Sequence, residues 1–313
     1  MFFYIVAAAS RRCGWRLSTQ TAARRRCHFY VLLFQGHYTS GRGCAGETGT
    51  PAHAMIILKS ERDLELMRPA GVVAGTVLDE VASFIQPGVT TREVDEFAAA
   101  RMKFYEAKSA FLGYRKFPCH ICISVNEQVV HGLAGPRRLE FGDIVSLDIG
   151  VLYRGFIGDT ARTVAVGGCD VQAQRLMDVT EQALHWGIGK ALPGNRVVDI
   201  SRTIQEFVES NGYSLVREFV GHGVGRSMHE EPQVPNFVEP NKTSPKLRPG
   251  MTIAIEPMVN GGRPEVVVLN DGWTVVTKDG QLSAHFEHTV LITEGEPEIL
   301  TWPAKMPSRL RAV

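Results

Sequence analysis

From residue 61 onward, the spacing of hydrophobic and polar residues alternates between the period of a helix and the period of a strand. Apolar residues recur at helical spacing over 61–85, where Ser60 and Asp63 predict a capping box, and over a second helix that Thr91 caps and that runs to about Lys108. Short β-type runs follow at 121–125, 143–149 and 160–166, and two more helices are predicted over 170–191 and 197–210. The last third returns to strands near 215–220, 251–256, 265–269, 273–277 and 286–292. Helices and short antiparallel-type strands in both halves predict an α+β fold.

The pattern repeats. "QPGVTTREV" at 86–94 resembles "LPGNRVVDI" at 192–200, and "FGDIVSLDIG" at 141–150 resembles "RPGMTIAIEP" at 248–257. The offset is 106 residues for the first pair of phrases, and 108 residues for the second pair when Asp148 is aligned with Glu256. We therefore predict a duplicated half-domain with pseudo-twofold symmetry that places one acid from each half near a common axis.

Charge and composition separate the first 54 residues from the rest. The chain is 44% hydrophobic and 21% charged, which is ordinary for a globular protein, and no run of apolar residues is long enough for a membrane span. Residues 1–53 contain seven Arg, no Lys and one acid, so they carry +6, whereas the remainder carries −5. We interpret 1–54 as an over-long start or a disordered tail; a mitochondrial transit peptide and nucleic-acid binding by Arg24, Arg25 and Arg26 are the alternatives.

The chemistry of the chain is carried by acids in apolar β-type runs. The ligand candidates, each within a short distinctive phrase, are Asp148, Asp159, His222, Glu256 and Glu287. An ionised carboxylate in such a place is costly unless a cation or hydrogen bonds compensate it. A turn at Tyr153–Gly155 would bring Asp148 and Asp159 to the same end of neighbouring strands. Oxygen-rich ligation with one imidazole suits Mn, Fe, Co or Zn, and four carboxylates are balanced by two divalent ions.

Histidines and cysteines add less specific signals. His131 and His229 can donate to a scissile carbonyl or move a proton if they lie near a metal-activated water, whereas His185 and His288 are taken as structural. Only Cys119 and Cys122 form a C-x-x-C, with no second pair to complete a zinc site, so we expect reduced thiols.

Five phrases together resemble a known family: "CISVNEQVVHG", "DIVSLDIGVLYRGFIGDTART", "FVGHGVGRSMHEEPQVPNF", "IAIEPMV" and "DGWTVVTKDGQLSAHFEHTVLIT". They are similar to those of bacterial type 1 methionine aminopeptidases, within the creatinase-like M24 metallopeptidases. The resemblance runs from about Met55 to Trp302 and implies the pita-bread fold. It implies three regions: the extension 1–54, a catalytic domain over 55–302 and a tail over 303–313.

The resemblance also implies roles for individual residues. Asp148 would chelate one metal, Asp159 and Glu287 would bridge both, and His222 and Glu256 would hold the other. A metal-bridged hydroxide would attack the scissile carbonyl, with Glu256 as general base, His131 near the scissile nitrogen and His229 on the carbonyl oxygen. The methionine pocket would be formed by Tyr114, Phe117, Cys122, His131, Met228 and Trp273. Phe111, Phe117 and Met228 depart from the commonest bacterial pattern, which leaves the size of the pocket open.

The implied activity is metal-dependent removal of the initiator methionine from nascent proteins whose second residue is small. Implied partners are nascent N termini and the ribosome exit region, with no nucleic-acid specificity, no membrane and a monomeric state. The implied location is the cytoplasm, or the mitochondrion if 1–54 is a transit peptide. Two alternatives use the same fold: an Xaa-Pro aminopeptidase or prolidase, and a non-catalytic peptide-binding protein. The retained ligands argue against the second.

Overall fold

A computed structural model describes residues 55–303. The predicted extension over 1–54 and nearly all of the tail over 303–313 lie outside the described residues. Four α-helices are present in this part of the chain: α1 Glu61–Phe84, α2 Thr91–Phe104, α3 Val171–Ile188 and α4 Val197–Ser210. The strands are β1 Lys108–Ser109, β2 Cys122–Val125, β3 Gln128–Val130, β4 Ile144–Tyr153, β5 Phe156–Ala165, β6 Ser214–Leu215, β7 Gly221–Gly223, β8 Glu230–Val234, β9 Thr252–Ile255, β10 Met258–Asn260, β11 Val266–Val268, β12 Val275–Thr277, β13 Ser283–His285, β14 Glu287–Leu291 and β15 Glu298–Ile299.

Helix starts follow the local sequence closely. The Ser60 hydroxyl accepts from the Asp63 N–H while the Asp63 carboxylate accepts from Ser60, which confirms the predicted capping box. The second helix is capped by Thr90 rather than Thr91, and it ends at Phe104 rather than near Lys108. The chain turns at Glu106, whose positive φ of 57° is incompatible with a continuing helix. Lys108 therefore begins β1 instead of ending α2.

The main sheet joins the two halves of the chain. Seven strands lie in the order β1-β4-β5-β14-β9-β7-β8, with β2 also paired to β4 and β15 to β14. Two three-stranded sheets, β13-β10-β6 and β11-β12-β3, lie beside it. The segment 215–220, predicted as one strand, is only a strand end at Ser214–Leu215, and the chain resumes extended pairing at β7.

The predicted duplication is confirmed by matching details at the predicted offsets. Isolated bridges join Thr90 to Arg138 in the first half and Arg196 to Lys246 in the second. Gly88 and Gly194, which precede α2 and α4, both have a φ of 92°. Within the main sheet, β4 and β5 of the first half correspond to β9 and β14 of the second. The pseudo-twofold axis passes between β5 and β14.

Each half buries its own apolar core against its own helix pair. In the first half α1 and α2 pack on one another and α1 packs on β4 and β5, while in the second half α3 packs on α4. One core is centred on Val77, Val81 and Leu147, and the other on Leu184, Ile204 and Ile253. At about 1.5–3 kcal/mol per fully buried large aliphatic side chain, these two cores hold the strands rigidly under the site. None of the helices in residues 55–303 is long and apolar enough to cross a membrane.

Candidate metal centre and substrate cavity

The hairpin of β4 and β5 positions the first two acids. Its turn residues Arg154 and Gly155 both have positive φ, of 50° and 82°, as a two-residue turn between antiparallel strands favours. In the register of the hairpin Asp148 is opposite Ala161 and Asp159 is opposite Gly150. Directly opposed residues share a face and so do residues two apart, so both carboxylates project from the same face of the sheet. This confirms the predicted turn.

The other strands extend this arrangement into a row. Ala161 is also opposite Glu287 on β14, and Asp148 is also opposite Cys122 on β2. His288, the residue after Glu287, is opposite Ile255 on β9, and Glu256 follows Ile255 directly. The buried methyl group of Ala161 therefore lies between two carboxylates and leaves space in front of the sheet. Ala161 had no distinguishing signal in the sequence.

His222 completes the cluster from the neighbouring strand. Glycines flank it because a Cβ at Gly221 would lie 2.3 Å from the carbonyl oxygen of Ala254, and β7 could not then approach β9. The Nδ1 atom of His222 lies 2.9 Å from the carbonyl oxygen of Gly223. A carbonyl only accepts, so Nδ1 carries the proton and Nε2 presents its lone pair. Nε2 lies 3.6 Å from Oδ2 of Asp159 and 3.5 Å from Oε1 of Glu256.

The four carboxyl groups of this cluster repel one another when no cation is bound. Burial raises the pKa of Asp148 to about 7 and raises the pKa values of Asp159, Glu256 and Glu287 well above their usual range, with mutual repulsion adding to the shift for the last three. Burial lowers the pKa of His222 to about 4, so its ring is neutral. Among the described residues, the ion pairs of these acids are with His222 and His285 only.

The donor set fits divalent cations. Oδ1 of Asp148, Oδ1 of Asp159 and Oε1 of Glu287 are buried without a hydrogen-bond partner in residues 55–303. Ligand atoms of Asp159, His222 and Glu287 all lie within 4.8 Å of one another. Unpaired buried oxygens this close are costly, and a shared cation is the usual compensation. The five predicted ligands are thus brought to one place.

The cluster lies at the base of a cavity of about 400 Å³. His229 is on its wall, with its ring 4.2 Å from that of His222 and its Nδ1 2.9 Å from the hydroxyl of Tyr114. His131 is on the wall as well and packs edge-on against Phe219. Burial lowers the pKa of His229 to about 2 and that of His131 to about 3, so both are neutral hydrogen-bonding groups.

Apolar residues form another part of the cavity wall. The lining includes five residues from the predicted pocket or its neighbourhood: Phe111, Tyr114, Phe117, Cys122 and Met228. The ring of Trp273 packs edge-on against that of Phe117, with centroids 5.1 Å apart, so the indole adjoins a residue of the cavity wall.

His285 is a cavity residue that the sequence reasoning missed. It lies two residues before Glu287 and its Nε2 is 3.9 Å from Oε2 of Glu256. The alternation of polar and apolar residues in "AHFEH" placed it on the face of Glu287, and this signal could have identified it. His288 projects to the other side, where its Nδ1 is 2.9 Å from the Thr301 hydroxyl, in keeping with the predicted structural role.

In this α+β fold, five metal-type ligands converge in one peptide-sized cavity. This arrangement is that of a metal-dependent hydrolase. The family model of metallopeptidase family M24 matches residues 65–294. A methionine aminopeptidase from Clostridium perfringens is 51% identical over 79% of this chain and 99% of its own length, and methionine aminopeptidase 1 of Bacillus subtilis is 48% identical with the same coverage. The crystal structure of methionine aminopeptidase from Thermotoga maritima superposes with a TM-score of 0.77 at 47% identity, over 79% of this chain and 99% of that one.

The chain therefore belongs to metallopeptidase family M24 and, within it, to the methionine aminopeptidases. The prediction of a type 1 enzyme with the pita-bread fold is confirmed. The prolidase alternative is less well supported, since the prolidase of Pyrococcus furiosus is 26% identical, with a TM-score of 0.63, and is covered over only 65% of its length. An aminopeptidase acts on polypeptides, so the substrate class is settled at that level.

Proposed function

We propose that the chain removes the N-terminal methionine of polypeptides with the help of two divalent ions. The observation that carries this proposal is the convergence of four carboxylates and the Nε2 lone pair of His222, with no Lys or Arg of the described residues paired to them. Four negative charges match two divalent cations, whereas a single divalent cation would leave the cluster strongly anionic. The oxygen-rich set with one nitrogen accepts Co, Mn, Fe or Zn.

We assign the ligands by their place in the row. Asp148 would hold an ion on the β4 side, and His222 and Glu256 would hold an ion on the β9 side. Asp159 and Glu287 lie on the two central strands between them and would be shared by both ions. This division follows the pseudo-twofold axis, which relates Asp148 to Glu256 and passes between β5 and β14.

The side chains around the cluster carry out the proton transfers and bind the substrate. When bound, divalent ions polarise a carbonyl group and make water at the site more acidic. Glu256 accepts the proton of the attacking water and passes it to the leaving amine. His229 donates a hydrogen bond to the scissile carbonyl oxygen and stabilises the charge that develops there. His131 contacts the scissile nitrogen, and the anionic base of the cavity selects a free α-amino group.

The wall of Tyr114, Phe117, Cys122, His131 and Met228 accommodates the methionine side chain, with Trp273 packed against Phe117. Aromatic and sulfur-containing neighbours suit a thioether. The limited cavity of about 400 Å³ supports a requirement for a small second residue. This proposal includes nascent chains as the substrates, an activity in the cytoplasm near the ribosome exit, and a monomeric protein.

The experiment is release of methionine from three peptides by protein purified without oxygen and loaded with Mn, Fe or Co. We expect cleavage of Met-Ala-Ser, little cleavage of Met-Leu-Ser and none of Ala-Pro-Ser. A matched control is Asp178→Asn, which alters an exposed carboxylate of α3 that, within residues 55–303, accepts a hydrogen bond from Gln174 alone, and it should leave all three rates unchanged. Cleavage of Ala-Pro-Ser but not of Met-Ala-Ser would overturn the proposal.

A further inference from the structure

His285 is a buried imidazole for which the roles above provide no function. It is 2% exposed, and its Nε2 atom has no hydrogen-bond partner in residues 55–303. That atom lies 3.9 Å from Oε2 of Glu256, on the cavity side of the sheet. A buried ring nitrogen without a partner is unfavourable, so its position here calls for a partner that forms in the working enzyme.

The backbone holds His285 in this position from two directions. On β13 it is opposite Met258 of β10, two residues beyond Glu256. On the other side the hydroxyl of Thr163 donates to the carbonyl oxygen of His285 at 2.9 Å and accepts from its N–H at 2.8 Å. The imidazole is thus placed by two strands and one side chain rather than by a flexible loop.

The two oxygens of Glu256 face two different imidazoles. Oε1 is 3.5 Å from Nε2 of His222, which presents a lone pair, whereas Oε2 is 3.9 Å from Nε2 of His285. A carboxylate oxygen accepts only, so it favours the ring form that carries the proton on Nε2.

We propose that His285 is a positioning residue for Glu256: its Nε2–H holds Oε2 as the two side chains close on one another, and Oε1 then stays directed to the His222 side. This inference rests on the proposed roles of Glu256 as ligand and base. Without the donor the carboxylate can rotate, so the ion on the β9 side is held less tightly and proton transfer slows. The side chains of the methionine wall are themselves unaltered by a change at position 285.

The experiment compares His285→Leu, His285→Gln and His285→Asn with the unmodified protein. Gln keeps an amide donor that reaches Glu256, Asn keeps the same donor one methylene shorter, and Leu has none. The measurements are calorimetric titration of the metal-free protein with Mn(II), and kcat and KM for Met-Ala-Ser. His288→Leu is the matched control, because it removes a neighbouring imidazole whose partner is Thr301 on the opposite face.

We expect the Leu and Asn variants to bind the second equivalent of Mn(II) about 10–100-fold more weakly and to lose kcat by a similar factor, as for other partners of metal ligands. KM should stay within about threefold, and Gln should restore most of both losses. Unchanged second-equivalent affinity and kcat in both Leu and Asn would overturn the inference. So would a Gln variant as impaired as Leu, because the ring itself would then be required. Failure of the unmodified protein to bind two ions or release methionine would instead overturn the proposed function.

Discussion

The Nε2 atom of His222 and the Oε1 atom of Glu256 face one another across 3.5 Å, and both are hydrogen-bond acceptors. The carbonyl of Gly223 fixes the ring proton on Nδ1, so a lone pair of nitrogen is directed at a carboxylate. Two acceptors are stable at this distance in a buried site when a cation lies between them. The whole cluster has the same requirement for a bound cation.

Replacement of the bridging acid tests the dinuclear arrangement. Asp159→Asn keeps the shape of the side chain and removes one charge, so methionine release should fall by more than about 100-fold, beyond the loss typical of partners outside the ligand set. The metal-free variant should unfold at a higher temperature than the metal-free parent at pH 8, because one buried charge is gone. Asp178→Asn should change neither quantity. Near-normal turnover in Asp159→Asn would refute the bridging role.

The pH dependence of metal stabilisation follows from the raised carboxyl pKa values. Folding raises the pKa of Asp148 from 3.8 to about 7, so the folded metal-free protein holds a proton that the unfolded chain has lost. Stability of the metal-free protein therefore falls as pH rises from about 4 to 7. Divalent ions replace these protons, so the increase in melting temperature on adding Mn(II) should be larger at pH 8 than at pH 6. Scanning calorimetry at both pH values checks this, and an equal or reversed difference would contradict it.

The hydroxyl of Tyr114 is expected to set the proton position of His229. When it donates to Nδ1, across the observed 2.9 Å, Nε2–H is left to donate to the substrate carbonyl. Tyr114→Phe removes one neutral hydrogen bond of about 1 kcal/mol, so kcat should fall about fivefold. His229→Ala should lower kcat by roughly 10²–10³-fold, as for loss of an oxyanion donor. Equal turnover in Tyr114→Phe and the parent would show that the hydroxyl does not orient the ring.

The aromatic wall should favour sulfur over an isosteric methylene. Phe117→Leu removes the ring but keeps apolar bulk, and sulfur–aromatic contacts contribute roughly 0.3–1.5 kcal/mol. Discrimination between Met-Ala-Ser and norleucine-Ala-Ser, measured as the ratio of kcat/KM, should therefore fall by about 2–10-fold. The norleucine rate serves as the internal control for general damage to the pocket. An unchanged ratio would place the thioether elsewhere.

Much of the fold could be predicted from local sequence. The capping box of α1, the hairpin turn at Arg154–Gly155 and the repeat offsets are short-range patterns, and each was found in place. The predicted end of α2 was wrong, because the positive φ at Glu106 depends on packing and is not indicated by hydrophobic periodicity. Short strands such as β3, β8 and β10 were also missed, because three to five residues carry too little pattern.

The ligands could be identified because buried acids are rare enough to be conspicuous in apolar runs. The order of those ligands across the sheet required the register, which joins Asp148, Ala161 and Glu287 in one row. The edge-on packing of Trp273 on Phe117 likewise joins residues far apart in the chain, which no local pattern indicates. His285 was missed because a lone histidine is common, and only its unpartnered nitrogen beside Glu256 distinguishes it.

The central claim is that five side chains hold two ions in one cluster. Crystals of the Mn-loaded protein, measured at the manganese absorption edge, test it most directly. We predict two anomalous peaks, one beside Asp148 and one beside His222 and Glu256, with Asp159 and Glu287 contacting both. A single fully occupied peak at saturating Mn(II), or peaks away from these residues, would contradict the account.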